Sequence, residues 1–162
     1  VLDMGEHSTD LAVIYGDMPR LVRTVPSGLQ ALVRAAVQNL NVQDDQARQF
    51  IIKFGLAPDR LEGQVLRAID GVLDNFATEL TKSIKFFQTR YPSISVSGIL
   101  LSGFGAAIPM MDNYITNKTG IPATTADPWQ HVSLGQADQQ KLAPIASEFA
   151  TVVGLAQRRS GS

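Results

Sequence analysis

Between Leu61 and Tyr91 the apolar residues Leu61, Val65, Ile69, Val72, Phe76, Leu80, Ile84 and Phe87 recur every three or four positions, the period of an α-helix. At 1.5 Å per residue the stretch predicts a helix of roughly 45 Å. It closes before Pro92, because the residue ahead of a proline avoids helical backbone. An amphipathic helix of that length must lie on an apolar surface supplied by the rest of the chain. The stripe lacks the a/d regularity and flanking charges of a coiled coil, so it reads as a core helix crossing a sheet.

The sheet is legible on both sides of that helix. Val1 to Met4, Leu11 to Tyr15 and Arg20 to Val25 are short apolar or alternating runs, with polar or turn-forming residues between them; they predict an antiparallel strand meander. The first connection, Gly5-Glu6-His7-Ser8-Thr9-Asp10, carries a glycine where the backbone is expected to need a positive φ. Leu29, Leu32, Val33, Ala36, Val37 and Leu40 predict a helix with Ser27 as its N-cap, and a second helix is expected from Gln43 to Phe54, stopped by Gly55. After the long helix come a strand from Ser95 to Leu101, a glycine break at Ser102 to Ala107 and a helix from Ala107 to Lys118 ended by Gly120. A short strand from Ile121 to Thr125, a turn at Asp127-Pro128 and a last helix from Pro144 to Arg158 complete the chain. Strands, then helices, then strand-glycine-helix is the order of an α/β layer sandwich.

Composition narrows the classes of function. The chain has 162 residues, 44% of them hydrophobic, enough for one self-sufficient core. Its net charge of -1 offers no bulk attraction to nucleic acid or an anionic membrane surface. There is no cysteine, hence no disulfide framework and no thiolate metal site. No apolar run approaches the roughly 20 residues of a membrane-spanning helix. The opening Val1-Leu2-Asp3 suggests a start inside an element of a longer polypeptide, and Ser160-Gly161-Ser162 a polar tail.

Two segments carry chemistry, and both run from an apolar strand into a small-residue turn with outward backbone N–H groups, the makings of an anion site. In Leu2-Asp3-Met4-Gly5-Glu6-His7-Ser8-Thr9-Asp10, Gly5 permits close approach of a phosphate. Ser8 and Thr9 offer hydroxyls and amides, and Asp3 at the strand end is placed to hold the waters of a magnesium ion. An ordinary hairpin whose Asp caps the turn is the alternative. In Ile99-Leu100-Leu101-Ser102-Gly103-Phe104-Gly105-Ala106, two glycines one residue apart allow a ring or ribose to lie against the backbone, as in dinucleotide-binding turns. Ile108 stands where a third glycine would complete that fingerprint, and a plain tight strand-to-helix turn is the alternative.

Together, about a hundred residues apart with helices between, the two segments resemble the actin-like ATPase superfamily. Within it the chain is most similar to the PilM family of type IV pilus assembly proteins, relatives of the cell-division protein FtsA. Asp3-x-Gly5-x-x-x-Thr9 resembles the family's second phosphate loop, and Leu101-Ser102-Gly103-x-Gly105-Ala106 its adenosine loop, with Phe104 where the family usually has another glycine. Gly120-Ile121-Pro122, Asp127-Pro128 and Phe149 to Ala156 resemble its C-terminal end, so the likeness covers nearly the whole chain.

The resemblance implies an RNase-H-like, actin-like ATPase lobe, with 1–42 and 92–162 forming the nucleotide-facing subdomain and 43–91 an inserted helical one. It implies ATP and magnesium as cofactors, with Asp3, Gly5, Ser8 and Thr9 toward the phosphates and Ser102, Gly103, Gly105 and Ala106 toward adenosine. It further implies a PilN-like inner-membrane partner bound through subdomains upstream of Val1, and a place in the cytoplasm at the inner face of the membrane. Self-association stays open, no nucleic-acid partner is expected, and no catalytic residue is assigned. The lobe alone is expected to be catalytically silent, since half a clamp cannot position an attacking water; the full-length protein would be at most a weak ATPase. Other readings are an FtsA-like homologue, a sugar-kinase-like phosphotransferase and a degenerate scaffold that has lost its nucleotide. His7 reads as a solvated turn residue and Trp129 as a packing residue; Trp129 and His131 have too few ligands nearby for a metal site. Arg158-Arg159 reads as a basic helix end.

Overall fold

A computed structural model describes residues 1–16, 18–130, 132–133, 135, 138, 141–142 and 146–157. Five strands form one mixed sheet: β1 (Leu2–Met4), β2 (Thr9–Tyr15), β3 (Met18–Val25), β4 (Ile99–Gly103) and β5 (Ala123–Thr125), in the order β3-β2-β1-β4-β5. The first three make the expected antiparallel meander, whereas β4 and β5 run parallel to β1. Between β3 and β4 lie α1 (Leu29–Leu40), α2 (Asp44–Phe54) and α3 (Gln64–Arg90); α4 (Phe104–Ala107) and α5 (Met111–Thr119) join β4 to β5, and α6 (Ala146–Ala156) follows.

The predicted stripe lies at the centre of the core except at two positions: Leu61 is exposed, and Val72 is half-buried while its neighbour Leu73 takes the buried place. Val65, Ile69, Leu73, Phe76, Leu80, Ile84 and Phe87 are all buried along α3, each contributing roughly 1.5–3 kcal/mol by leaving water. All of these but Phe87 form one hydrophobic cluster with Leu29, Leu32, Val33 and Ala36 of α1, Ala47 and Ile51 of α2, and the inward residues Leu2, Met4, Leu11, Ile99 and Leu101 of the sheet. The helical segment and the sheet thus share a single core. Polar ties fix α3 in place: Asn39 donates to the Ala68 carbonyl at 2.7 Å, Arg23 reaches Ser83 at 2.9 Å and Glu79 at 2.8 Å, and Tyr114 donates to Asp74 at 2.9 Å. The other sheet face, on which Asp3, Asp10, Ala12 and Leu100 lie, is met by α6 near β4.

Several boundaries differ from those expected. The long helix begins at Gln64, because Leu61, Glu62 and Gly63 all have positive φ and form a single 3-10 turn. Gly28 is the N-cap of α1, with no side-chain bond from Ser27. Pro109 divides the helix expected from Ala107: Ile108 takes an extended ψ of 117°, α4 ends, and α5 starts at Met111. The proline is held by a distant partner, since the Leu56 N–H donates to its carbonyl at 3.0 Å. Ser95 to Gly98 are not strand; β4 begins at Ile99, where the N–H first finds an acceptor, the Pro122 carbonyl at 2.8 Å. The last strand likewise starts at Ala123. The last helix is present as Ala146–Ala156; Pro144, Arg158 and Arg159, like His131, lie outside the described residues.

Candidate functional site

The two glycine turns meet. Parallel pairing of β1 with β4 sets Leu2 opposite Leu101, Asp3 opposite Ser102 and Met4 opposite Gly103, so both strands end at the same edge and their turns leave it side by side. Ligands of open α/β sheets sit at this carboxyl edge, where strands stop and amides point outward.

After β1 the turn is short and firmly held. The Gly5 N–H donates to the Ser8 carbonyl at 2.8 Å. Among the described residues the N–H groups of Glu6, His7 and Ser8 have no backbone acceptor. Gly5 and His7 are exposed and Ser8 half-buried. Gly5 does not adopt the positive φ expected of it. Its advantage is space, because a methyl group there would lie 3.2 Å from the Ser8 carbonyl.

Behind the turn stands α1. Its Leu29 and Gln30 amides donate to the Gly5 and Glu6 carbonyls at 3.1 and 2.9 Å, so the first amides of the helix clamp the turn and are not left for a ligand. Thr9 is fully buried and its hydroxyl donates to the Ser27 carbonyl at 2.7 Å. That places Thr9 beneath the turn, as a pin between β2 and the approach to α1. Glu6 is paired with Arg48 of α2 through both carboxylate oxygens, and Arg48 also reaches Gln30 at 3.2 Å. The guanidinium hydrogen bond holds the Glu6 carboxyl below its ordinary value, against a smaller opposing effect of desolvation.

The β4 turn works differently. Gly103 has φ 60° and ψ -142°, a backbone that side-chain-bearing residues rarely adopt. A methyl group there would also lie 2.7 Å from an Asp3 carboxylate oxygen and collide with the Met4 carbonyl. The absence of a side chain at Gly103 therefore lets Asp3 stand half-buried between the two turns. Ser102 and Gly105 are buried and Ala106 half-buried beside them. Phe104 is half-buried and packs against the hydrophobic core.

Two residues escaped the sequence reading. Asp10 pairs directly with Asp3 across the β1–β2 ladder, and its carboxylate accepts from Thr24 at 2.6 Å. The spacing of a hairpin with a four-residue turn was the available signal. Gly28 is the other: a methyl group on it would lie 2.6 Å from the Gly5 carbonyl and 2.7 Å from the Ser8 nitrogen. Nothing local in Pro26-Ser27-Gly28 announces that contact. Elsewhere, Trp129 stacks on Phe149 with ring centroids 5.7 Å apart. Among the described residues no cluster of three or more His, Cys, Asp or Glu is placed to hold a metal, and no helix is long and apolar enough to cross a membrane. A groove at the opposite end of the strands has no charged side chain in its lining and lacks the anion chemistry of the glycine edge.

A family model described as type IV pilus assembly protein PilM matches residues 1–160. Among solved structures, a chain of a PilM-PilN type IV pilus biogenesis complex is 27% identical with a TM-score of 0.80; the match covers 96% of this chain and 44% of that one. The ethanolamine utilization protein EutJ from Carboxydothermus hydrogenoformans is similar in fold, with a TM-score of 0.65 at 17% identity, over 96% of this chain and 46% of that one. The chain thus spans less than half of each of these two structures, as one α/β lobe of the actin-like ATPase fold. With a family match over nearly its whole length, the chain belongs to the PilM family of type IV pilus assembly proteins.

Proposed function

We propose that this lobe is one wall of an ATP site in a PilM-type protein, and that nucleotide held between it and a second lobe sets the state in which the protein engages a PilN-like inner-membrane partner. The observation that carries the reading is the side-by-side exit of the Gly5 and Gly103 turns from adjacent parallel strands. In it, the free amides of Glu6, His7 and Ser8 receive phosphate oxygens, and the Ser8 hydroxyl adds a donor. Asp3, with Asp10 alongside, holds the water shell of magnesium, which keeps several waters and needs few protein ligands. The backbone around Ser102, Gly103, Gly105 and Ala106 lies against adenosine. Gly5 and Thr9 act by shaping and pinning the turn.

In this arrangement residues 1–42 and 92–162 form the nucleotide-facing layer and 43–91 the helical layer, built on one shared core. The lobe alone is catalytically silent, because an attacking water needs the opposite wall to fix its line of approach. The protein would work in the cytoplasm, recruited to the inner face of the membrane through its partner. That reading draws on the PilM-PilN complex among the similar structures.

Calorimetric titration with Mg-ATP tests the site. Weak or no binding is expected for this chain, and saturable binding for a longer chain that includes the second lobe. Tight binding by this chain alone would overturn the need for two lobes, and no binding by either would overturn the nucleotide reading.

A further inference from the structure

The β1 turn carries a charge at odds with its proposed role. Glu6 opens the run Glu6-His7-Ser8 whose amides, among the described residues, have no backbone acceptor, and a carboxylate there opposes any anion those amides hold. The peptide planes fix the direction of the conflict. The Gly5 and Glu6 carbonyls accept from the first amides of α1, Leu29 at 3.1 Å and Gln30 at 2.9 Å. In a trans peptide the N–H points opposite to the C=O, so the Glu6 and His7 amides are aimed away from α1. An anion on them lies within about one Debye length, roughly 8 Å at physiological salt, of the Glu6 carboxylate.

That carboxylate is drawn to the other side of the turn. Arg48 of α2 takes both of its oxygens, Nη1 donating to Oε2 at 3.1 Å and Nη2 to Oε1, in the fork that a guanidinium makes with a carboxylate. Nη2 also donates to Gln30 Oε1 at 3.2 Å, and Gln30 Nε2 donates to Asp44 at 3.4 Å, so the guanidinium is anchored on α1 as well as on the turn. Asp44 and Asp45, in the first turn of α2, act on the same guanidinium at longer range. Among the described residues no Lys or Arg other than Arg48 forms an ion pair with Glu6.

We infer that Arg48 is a positioning residue for the β1 turn: it neutralises the Glu6 carboxylate and holds it toward α1 and α2, so that the neighbouring amides can receive a polyphosphate. The inference rests on the nucleotide reading of the turn and adds to it a residue from a helix outside both glycine turns. Its action is electrostatic. Both side chains are about a third exposed, so the pair adds little to stability, whereas its effect on a multivalent anion is summed over every phosphate charge.

Mg-ATP titration of the longer chain that includes the second lobe tests it, with the parent compared with Arg48→Ala, Glu6→Gln and the double variant. Arg48→Ala leaves an uncompensated carboxylate beside the anion, and the dissociation constant should rise by roughly threefold to tenfold. Glu6→Gln leaves the guanidinium, still anchored on Gln30, without its counter-charge, and the constant should fall by about threefold. The double variant carries neither charge and should return to within about twofold of the parent. At about 1 M salt, where the Debye length shrinks to roughly 3 Å, these differences should vanish. A pair that merely shaped the turn would behave otherwise: both single variants would weaken binding, and salt would not bring them together. Weaker binding by Glu6→Gln, or a double variant as weak as Arg48→Ala, would overturn the inference and leave the nucleotide site standing. No binding by the parent would overturn the nucleotide reading, and the inference with it.

Discussion

The turns after β1 and β4 look alike as sequences, each an apolar strand running into glycine, yet they are held by different forces. Gly5 has no positive φ, and the β1 turn owes its shape to contacts from outside: the α1 amides, the Thr9 hydroxyl and the close backbone approach of Gly28. The β4 turn owes its shape to one residue, Gly103, whose own backbone is left-handed and whose missing side chain admits Asp3. A glycine in a turn at the end of a strand is therefore not one kind of constraint. In the first turn the essential glycine is 23 positions downstream of the one that marks the motif.

The comparison breaks most readily at Gly103. Gly103→Ala must accept both an unfavourable φ and contact with β1, and should lose about 3 kcal/mol or more in chemical denaturation. If the loss is below 1 kcal/mol, roughly the effect of an ordinary surface change, the β4 turn is not governed by its own backbone. Next comes the pair that separates motif from support. Gly28→Ala should cost about 2 kcal/mol through overpacking, at an extended φ of -134° that any residue adopts. Gly5→Ala, with an exposed site and one contact at 3.2 Å, should cost about 0.5 kcal/mol. Reversal of that order would show that the turn shapes itself.

Thr9→Val keeps the buried volume but strands the Ser27 carbonyl, and about 1 kcal/mol of stability should go with the hydrogen bond. A value near zero would mean that water replaces the hydroxyl and that the pin is dispensable. The smallest effect belongs to the Glu6–Arg48 pair. Both side chains are about a third exposed, so solvent screening limits it to a few tenths of a kcal/mol. Because the folded carboxyl of Glu6 titrates below its ordinary 4.5, its contribution is complete above that pH and disappears as the pH falls through the lower folded value. The stability gap between the parent and Glu6→Gln should close in acid and shrink in high salt. A gap that widens in acid would reverse the sign of the coupling.

How much could be read beforehand follows the range of the interactions. The stripe from Val65 to Phe87 announced α3 because burial of one helix face is written every three or four residues. Leu61 keeps the same step but sits outside the helix, since φ at Leu61, Glu62 and Gly63 is positive there. The helix expected from Ala107 runs through Pro109, whose dock on Leu56 has no local signal and holds the break between α4 and α5. β4 was placed four residues early because Ser95 to Gly98 have strand-like composition, while strand formation also needs a neighbour, and on the β1 side of that stretch there is a groove. At the site, Asp3, Gly5, Gly103 and Gly105 were legible from strand-then-glycine patterns. Asp10 and Gly28 were not, because each acts through a partner on another element.

By itself the sequence determined the layer order, the long core helix and the existence of two small-residue turns, because periodicity and local backbone preference are properties of neighbours along the chain. Only the tertiary structure decided that β1 and β4 lie side by side in parallel, that Gly28 packs its backbone against the first turn, and that Thr9 is buried under it. Those outcomes depend on contacts spanning tens of residues, for which no local pattern encodes the partner.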